Sequence, residues 1–239
     1  MTNNKTENIL IRLSKDRGYA DHGWLKTHHT FSFGDYYDPQ HMSFRSLRVI
    51  NEDYVEGAKG FGKHPHKDME ILTYVLKGAL EHKDSMGNTS VIKAGDIQKM
   101  SAGTGVFHSE FNHSPSEQVH LLQIWILPQE NGISPSYEQF SLPKEKQNEP
   151  LLLIGSPQGG PQVVRFYQDV YIYRAVLKKG QECIYNPKPA RGLWIQAIEG
   201  SFEVNDRLVD SGDGASVQGE AKITFKARRD VEFLIFDLK

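Results

Sequence analysis

A single cysteine, Cys183, stands in a chain of 239 residues. One thiol cannot form an internal disulfide, so no covalent staple supports the fold and the usage points to a reducing compartment; Cys183 itself reads as a small buried hydrophobe. Concentrated charge is also missing. The 28 basic and 30 acidic residues nearly cancel, with a net charge of -2, and neither a basic block nor an acidic tail breaks the balance, which argues against a footprint for nucleic acid. No apolar run approaches the ~20 residues of a membrane-spanning helix. The polar start MTNNKTENIL lacks the apolar core of a secretory signal. These absences leave a soluble cytoplasmic protein as the expectation, without direct nucleic-acid or membrane contact, long enough for one large all-β domain or two smaller ones.

Histidine, by contrast, is patterned. His64 and His66 are separated by one residue, and so are His108 and Glu110. In an extended strand, side chains two apart point to the same face, so each pair offers two ligand atoms in one direction. Between the pairs lie the apolar run 71–76, a turn at Gly78, a turn around Met86-Gly87-Asn88, a further short run and Gly95-Asp96. That punctuation predicts a meander of short antiparallel strands, an arrangement able to return residue 108 to the side of residue 64. Gly60, Gly62, Gly103 and Gly105 flank the pairs and allow strands to bend inward. Three imidazoles and one carboxylate suit a first-row divalent ion with open positions. Glu70 shares strand parity with His64 and His66, and periodicity does not reject it as the carboxylate ligand.

The rest of the chain reads as further strands. Residues 9–13 and 44–50 are strand-like, the second turned by Asn51-Glu52-Asp53. The aromatic segment HGWLKTHHTFSFGDYYDP, with His22, His28 and His29, reads as a lid over a barrel end. His82, in EHKDSMGN, and His113 read as exposed, and His120 as a satisfied core histidine. Phe61, Met100 and Phe107 are the expected pocket walls. The polar stretch 128–150 reads as a linker between halves, giving domains 1–135 and 136–239. Gly200 and Gly212-Asp213 repeat the positions of Gly78 and Gly95-Asp96, and the same count sets Asn186-Pro187-Lys188 against His64-Pro65-His66. Two copies of one β module follow, the second stripped of its ligands and expected to be metal-free.

GFGKHPHKDMEILTYVLKG, DSMGN, AGDIQKMSAGTGVFHSE and LLQIWILP, in that order, resemble the pirin family of bicupins, and HGWLKTHHTFSFGDYYDP resembles its N-terminal signature. The likeness is close over roughly the first 140 residues. It implies an all-β chain of two cupin-type antiparallel β-barrels packed face to face, with one divalent metal ion per chain, Fe(II) foremost and Ni, Co, Mn, Cu or Zn accommodated. The implied ligands are His64, His66, His108 and Glu110, which leaves Glu70 outside the shell. Bacterial members of the family cleave flavonols such as quercetin with O2, so the resemblance implies a quercetin 2,3-dioxygenase activity in which Glu110 is also the catalytic base. The alternative is an iron-dependent redox-sensing protein that regulates a protein partner. A purely structural metal ranks last, since closed thiolate-rich sites usually serve that role.

Overall fold

The protein is described from a computed structural model covering residues 8–239. Among these residues there is no α-helix, so no helix is long and apolar enough to cross a membrane. Antiparallel strands make up two compact units: one holds residues 17–143 and 157–168, the other 8–16, 144–156 and 169–239.

The first unit is built from two sheets. One runs in the order Ser136–Ser141, Asp96–Ser101, Glu70–Lys77, Val119–Ile126, Leu47–Val55, Leu25–His29, Gly18–Asp21. The other runs Gly60–His66, Val106–Asn112, Ala79–Asp84, Thr89–Lys93. The chain passes from the first sheet to the second at Gly78, whose φ of 80° is a conformation that residues with a Cβ avoid. Strands of near-continuous apolar character, such as EILTYVLK, are buried on both faces. Leu25, Val55, Val75, Leu80, Val119 and Leu121 form a core between the sheets. Each fully buried aliphatic side chain of this kind contributes roughly 1.5–3 kcal/mol.

The second unit repeats the plan. One sheet has the order Ile9–Arg12, Gly214–Gln218, Gly192–Glu199, Val231–Leu238, Val170–Leu177, Leu152–Ser156; the other Glu182–Tyr185, Ile223–Ala227, Ser201–Val204, Arg207–Asp210. Gly200 turns the corner with φ 84°, as Gly78 does, and the strands before the two glycines share one burial pattern. The duplication expected from glycine spacing is therefore structural. Phe202 stacks on Phe233 at 4.3 Å and Phe225 lies 5.0 Å from Phe233, forming an aromatic centre. Tyr185, Arg191, Asp169 and Asp237 join in a hydrogen-bonded ionic cluster.

The expected all-β plan of two similar units holds, with the two sheets of each unit not joined by hydrogen bonds into one continuous ladder. Two expectations need correction. The division at 135/136 shifts. Ser136–Ser141, inside the supposed linker, pairs with Asp96–Ser101 of the first unit, while Ile9–Arg12 pairs with Gly214–Gln218 of the second. Last, the strand expected to turn at Asn51-Glu52-Asp53 continues to Val55. Those polar residues are not a turn: Glu52 pairs with Arg17 and His120, and Asn51 and Asp53 face a cavity.

Candidate functional site

His64 and His108 are direct cross-strand partners, and His66 stands opposite Val106. Between His108 and Glu110 the register shifts, so that two steps along one strand match three along the other, from His64 to Phe61. This bulge lies at Gly62-Lys63 and tightens the local bend. Gly60 lets the strands approach: a Cβ there would stand 2.2 Å from the carbonyl oxygen of Glu110 and 2.5 Å from Cα of Phe111. The three imidazoles converge, with ring centres 4.4 to 4.8 Å apart.

His64 Nδ1 is held by the carbonyl of Gly62 at 2.8 Å, leaving Nε2 to face Nε2 of His108 at 2.9 Å. Two nitrogens at right angles, each about 2.1 Å from one ion, lie about 3 Å apart, so this spacing fits two adjacent positions of a metal shell. Without an ion, His108 Nε2 is the donor and His64 Nε2 the acceptor, since His64 gives its own proton to the Gly62 carbonyl. Burial, and then the neighbouring imidazoles, push His66 down to about 4 and His108 down to about 3. Both are consequently neutral near pH 7, with lone pairs available. Glu110 is buried and accepts a hydrogen bond from Gln123 Nε2 at 2.9 Å, with Thr73 Oγ1 at 3.5 Å. His64, His66, His108 and Glu110 could hold a divalent ion; among the described residues His64, His66 and His108 form one ligand-competent group, and His82, His108 and Glu110 another.

His64, His66 and Glu110 line a cavity of about 640 Å³ whose walls include Trp24, Phe33, Phe61 and Trp125. Trp125 meets the His66 ring edge-on at 4.9 Å. Beneath Glu110 a polar row crosses the larger sheet: His29, Asn51, Gln123, Thr73, Gln98 and Gln139 are successive cross-strand neighbours. His29 Nδ1 meets Asn51 Oδ1 at 2.8 Å and Thr73 Oγ1 donates to Gln123 Oε1 at 3.2 Å. Sequence reasoning passed over this row. Its signal was one polar residue in each of several otherwise apolar strands.

Asp53 also lines the cavity. Burial foremost, together with the charges of Glu110 and Glu52, pushes its carboxyl up from 3.8 to about 7. In metal-free protein the stabilisation from holding this proton is complete below about pH 4, where the unfolded carboxyl is protonated too, and is lost as pH rises to about 7. Three pH units at about 1.4 kcal/mol each bound the loss at roughly 4 kcal/mol. Asp53→Asn should therefore gain stability relative to the parent between pH 5 and pH 8 in urea unfolding; a pH-independent difference would refute the assignment.

Other expected positions divide clearly. Glu70 is fully buried and bonds Lys99 at 2.7 Å, away from the histidines, because the turn at Asp68, φ 49°, breaks the strand and with it the parity counted from His64. Phe61 is a cavity wall, whereas Met100 packs with Ile71 and Val106, and Phe107 is half exposed because it alternates with His108. The aromatic N-terminal segment does cover the site: His22, Trp24, His29, Phe33 and Tyr36 line the cavity. His28 lies instead against Tyr19 and Tyr54. His113 is exposed, as expected; His120 is satisfied by Glu52 at 2.9 Å but is only partly buried, not a core residue. His82 is the clear miss: read as exposed, it is fully buried, its ring 5.3 Å from that of His108. EHKD carries the same two-residue spacing as the other pairs, and that was the available signal.

Two similar all-β units, one bearing a three-histidine and carboxylate cluster at the head of an aromatic cavity, define a bicupin. Residues 11–126 match the Pirin family, and residues 153–238 match the quercetinase C-terminal cupin domain. A protein of Escherichia coli (strain K12) named quercetin 2,3-dioxygenase is 47% identical over 232 residues, covering 96% of this chain and 98% of its own. The chain belongs to the pirin family. The crystal structure of YhhW from Escherichia coli has a TM-score of 0.94 at 46% identity, covering 97% of each chain. A structure of bacterial pirin YhhW in complex with nickel(II) has a TM-score of 0.92 at 46% identity, covering 96% of this chain and 98% of that one.

Proposed function

We propose that this protein is a metal-dependent dioxygenase that cleaves a flavonol such as quercetin with O2. The observation that carries the reading is the convergence of His64, His66, His108 and buried Glu110 at an aromatic-walled cavity, whose volume lies in the ~300–1,000 Å³ range of small-molecule sites. The name of the Escherichia coli relative supports the substrate class, and the nickel complex of YhhW supports a divalent ion. The four residues are the proposed ligands, and iron(II) is the proposed native ion in a cytoplasmic enzyme. Bound there, the ion supplies Lewis acidity toward the substrate's 3-hydroxyl and carbonyl, and a path for dioxygen chemistry.

The chain's own residues do the rest. Trp24, Phe33, Phe61 and Trp125 offer faces and edges to a flat polyphenol and exclude water. Glu110 takes the 3-hydroxyl proton, held in place by Gln123 and Thr73. The flavonolate so formed is the electron-rich species that reacts with O2; both oxygen atoms enter the ring-opened product and one ring carbon leaves as carbon monoxide. Purified protein loaded in turn with iron(II), nickel(II) or cobalt(II) should consume quercetin in air, with loss of flavonol absorbance and matching carbon monoxide. Absence of turnover with every metal would sink this substrate.

A further inference from the structure

The strand Ala79–Asp84 lies beside Val106–Asn112 in a register that sets His82 opposite Glu110 and Asp84 opposite His108. A second two-residue pair, His82 and Asp84, therefore faces the same way as the proposed ligands and is as deeply buried, with both side chains inaccessible to solvent. Nothing in the reaction outlined above uses it.

Its hydrogen bonding is incomplete in an informative way. His82 Nε2 lies 3.1 Å from Asp84 Oδ2. Asp84 Oδ1 accepts the backbone amides of Met86 and Asn88 at 2.9 and 3.0 Å, and Oδ2 accepts Asn88 Nδ2 at 2.8 Å, the pattern of a carboxylate. A carboxylate only accepts, so His82 Nε2 is the donor and Nδ1 keeps its lone pair. That Nδ1 is buried without a hydrogen-bond partner. On the other ring, His108 directs Nε2 toward His64, so the proton of its neutral, ligand-ready form resides on Nδ1, and this atom too is buried without a partner. One buried donor lacks an acceptor and one buried acceptor lacks a donor, on rings whose centres are 5.3 Å apart. Buried polar atoms are rarely left unpaired, and a site between two such nitrogens has the polar partners that an internal water requires.

We infer that His82, anchored by Asp84, is a positioning residue for His108: through one buried water its Nδ1 takes up the hydrogen bond donated by His108 Nδ1, fixing the tautomer that turns Nε2 to the metal. The inference rests on the metal reading above. Partners of this kind orient the ligating ring and raise its basicity, and their loss typically costs about 10- to 100-fold in metal affinity.

The test measures nickel(II) affinity by chelator competition, with metal stoichiometry, on the full chain. His82→Phe removes the acceptor and should weaken nickel(II) about 10- to 100-fold. Asp84→Asn can donate to Nε2, which moves the His82 proton to Nδ1 and sets donor against donor; a similar weakening is expected. His82→Gln restores an acceptor oxygen and should recover most of the affinity. Lys83→Ala, at the exposed position between His82 and Asp84, alters the same strand without touching the pair and should bind nickel as the parent does. In metal-free protein, nitrogen NMR should show His82 protonated on Nε2 in the parent and on Nδ1 in folded Asp84→Asn. Should His82→Phe not fold, Asp84→Asn and the NMR signature decide alone.

Unchanged nickel affinity in folded His82→Phe or Asp84→Asn would overturn the inference, as would two nickel ions per chain, which would make His82 a ligand. A parent protein that binds no nickel, cobalt or iron would overturn the metal reading itself.

Discussion

Glu110→Gln should lower quercetin turnover by about 100- to 10,000-fold, even at metal concentrations that fill the site. The two side chains have the same shape, and the carboxamide oxygen can still accept the Gln123 Nε2 hydrogen bond that Glu110 receives at 2.9 Å. The fold and the cavity should therefore survive. What disappears is the anionic charge and the ability to take a proton. A neutral side chain neither balances the cation nor accepts the 3-hydroxyl proton. Separating these effects requires the metal content of each preparation to be measured beside its rate. If the loss persists at full occupancy, Glu110 acts on the substrate proton as well as on the ion. Turnover within a few-fold of the parent would remove it from both roles.

Lys99→Met should destabilise the first unit by about 3–5 kcal/mol, the cost of leaving a buried charge without its partner. Lys99 Nζ lies 2.7 Å from Glu70 Oε2, and both side chains are wholly inaccessible. The Tyr167 amide donates to the same carboxylate oxygen at 3.1 Å, while Glu70 Oε1 has no partner. Phe166 and Tyr167 sit about the ammonium with ring centres 5.5 and 5.3 Å away. Burial foremost lowers the pKa of Lys99, and the charge of Glu70 opposes that shift. Removing only one ion strands the other. The double variant Glu70→Leu/Lys99→Met should recover most of the lost stability, since exchanging a buried pair for apolar residues is often neutral or better. Thermal and urea unfolding of the two single variants and the double would show this as a strong coupling. Additive losses would mean that the pair does not act as one.

The fate of Glu70 shows what sequence could and could not deliver. Period-two spacing put His64 on one face with His66, and His108 with Glu110, because each pair lies within one strand, where parity holds. It failed for Glu70, beyond the Asp68 turn, since nothing in a one-dimensional count records that a turn resets the faces. The same limit explains Asn51-Glu52-Asp53, which has turn composition but sits mid-strand because its polar groups meet a cavity on one side and Arg17 and His120 on the other. His82 was misjudged from its polar neighbours. A strand with one buried face carries lysines and glutamates on the other, so local polarity says little about alternate residues. Cavity lining by His29 and Asp53 depends on strand order across the sheet, which composition does not encode.

The polar row across the larger sheet bears on how that sheet finds its pairing. Strands such as EILTYVLK and VHLLQIWI contain apolar residues at nearly every position, so hydrophobicity alone barely separates one alignment from its neighbour. Moving either by a single residue would turn Thr73 away from Gln123 and strand amides against aliphatic walls. The groups that cradle Glu110 thus also penalise slippage during folding, and a substitution there endangers assembly of the sheet before it touches chemistry.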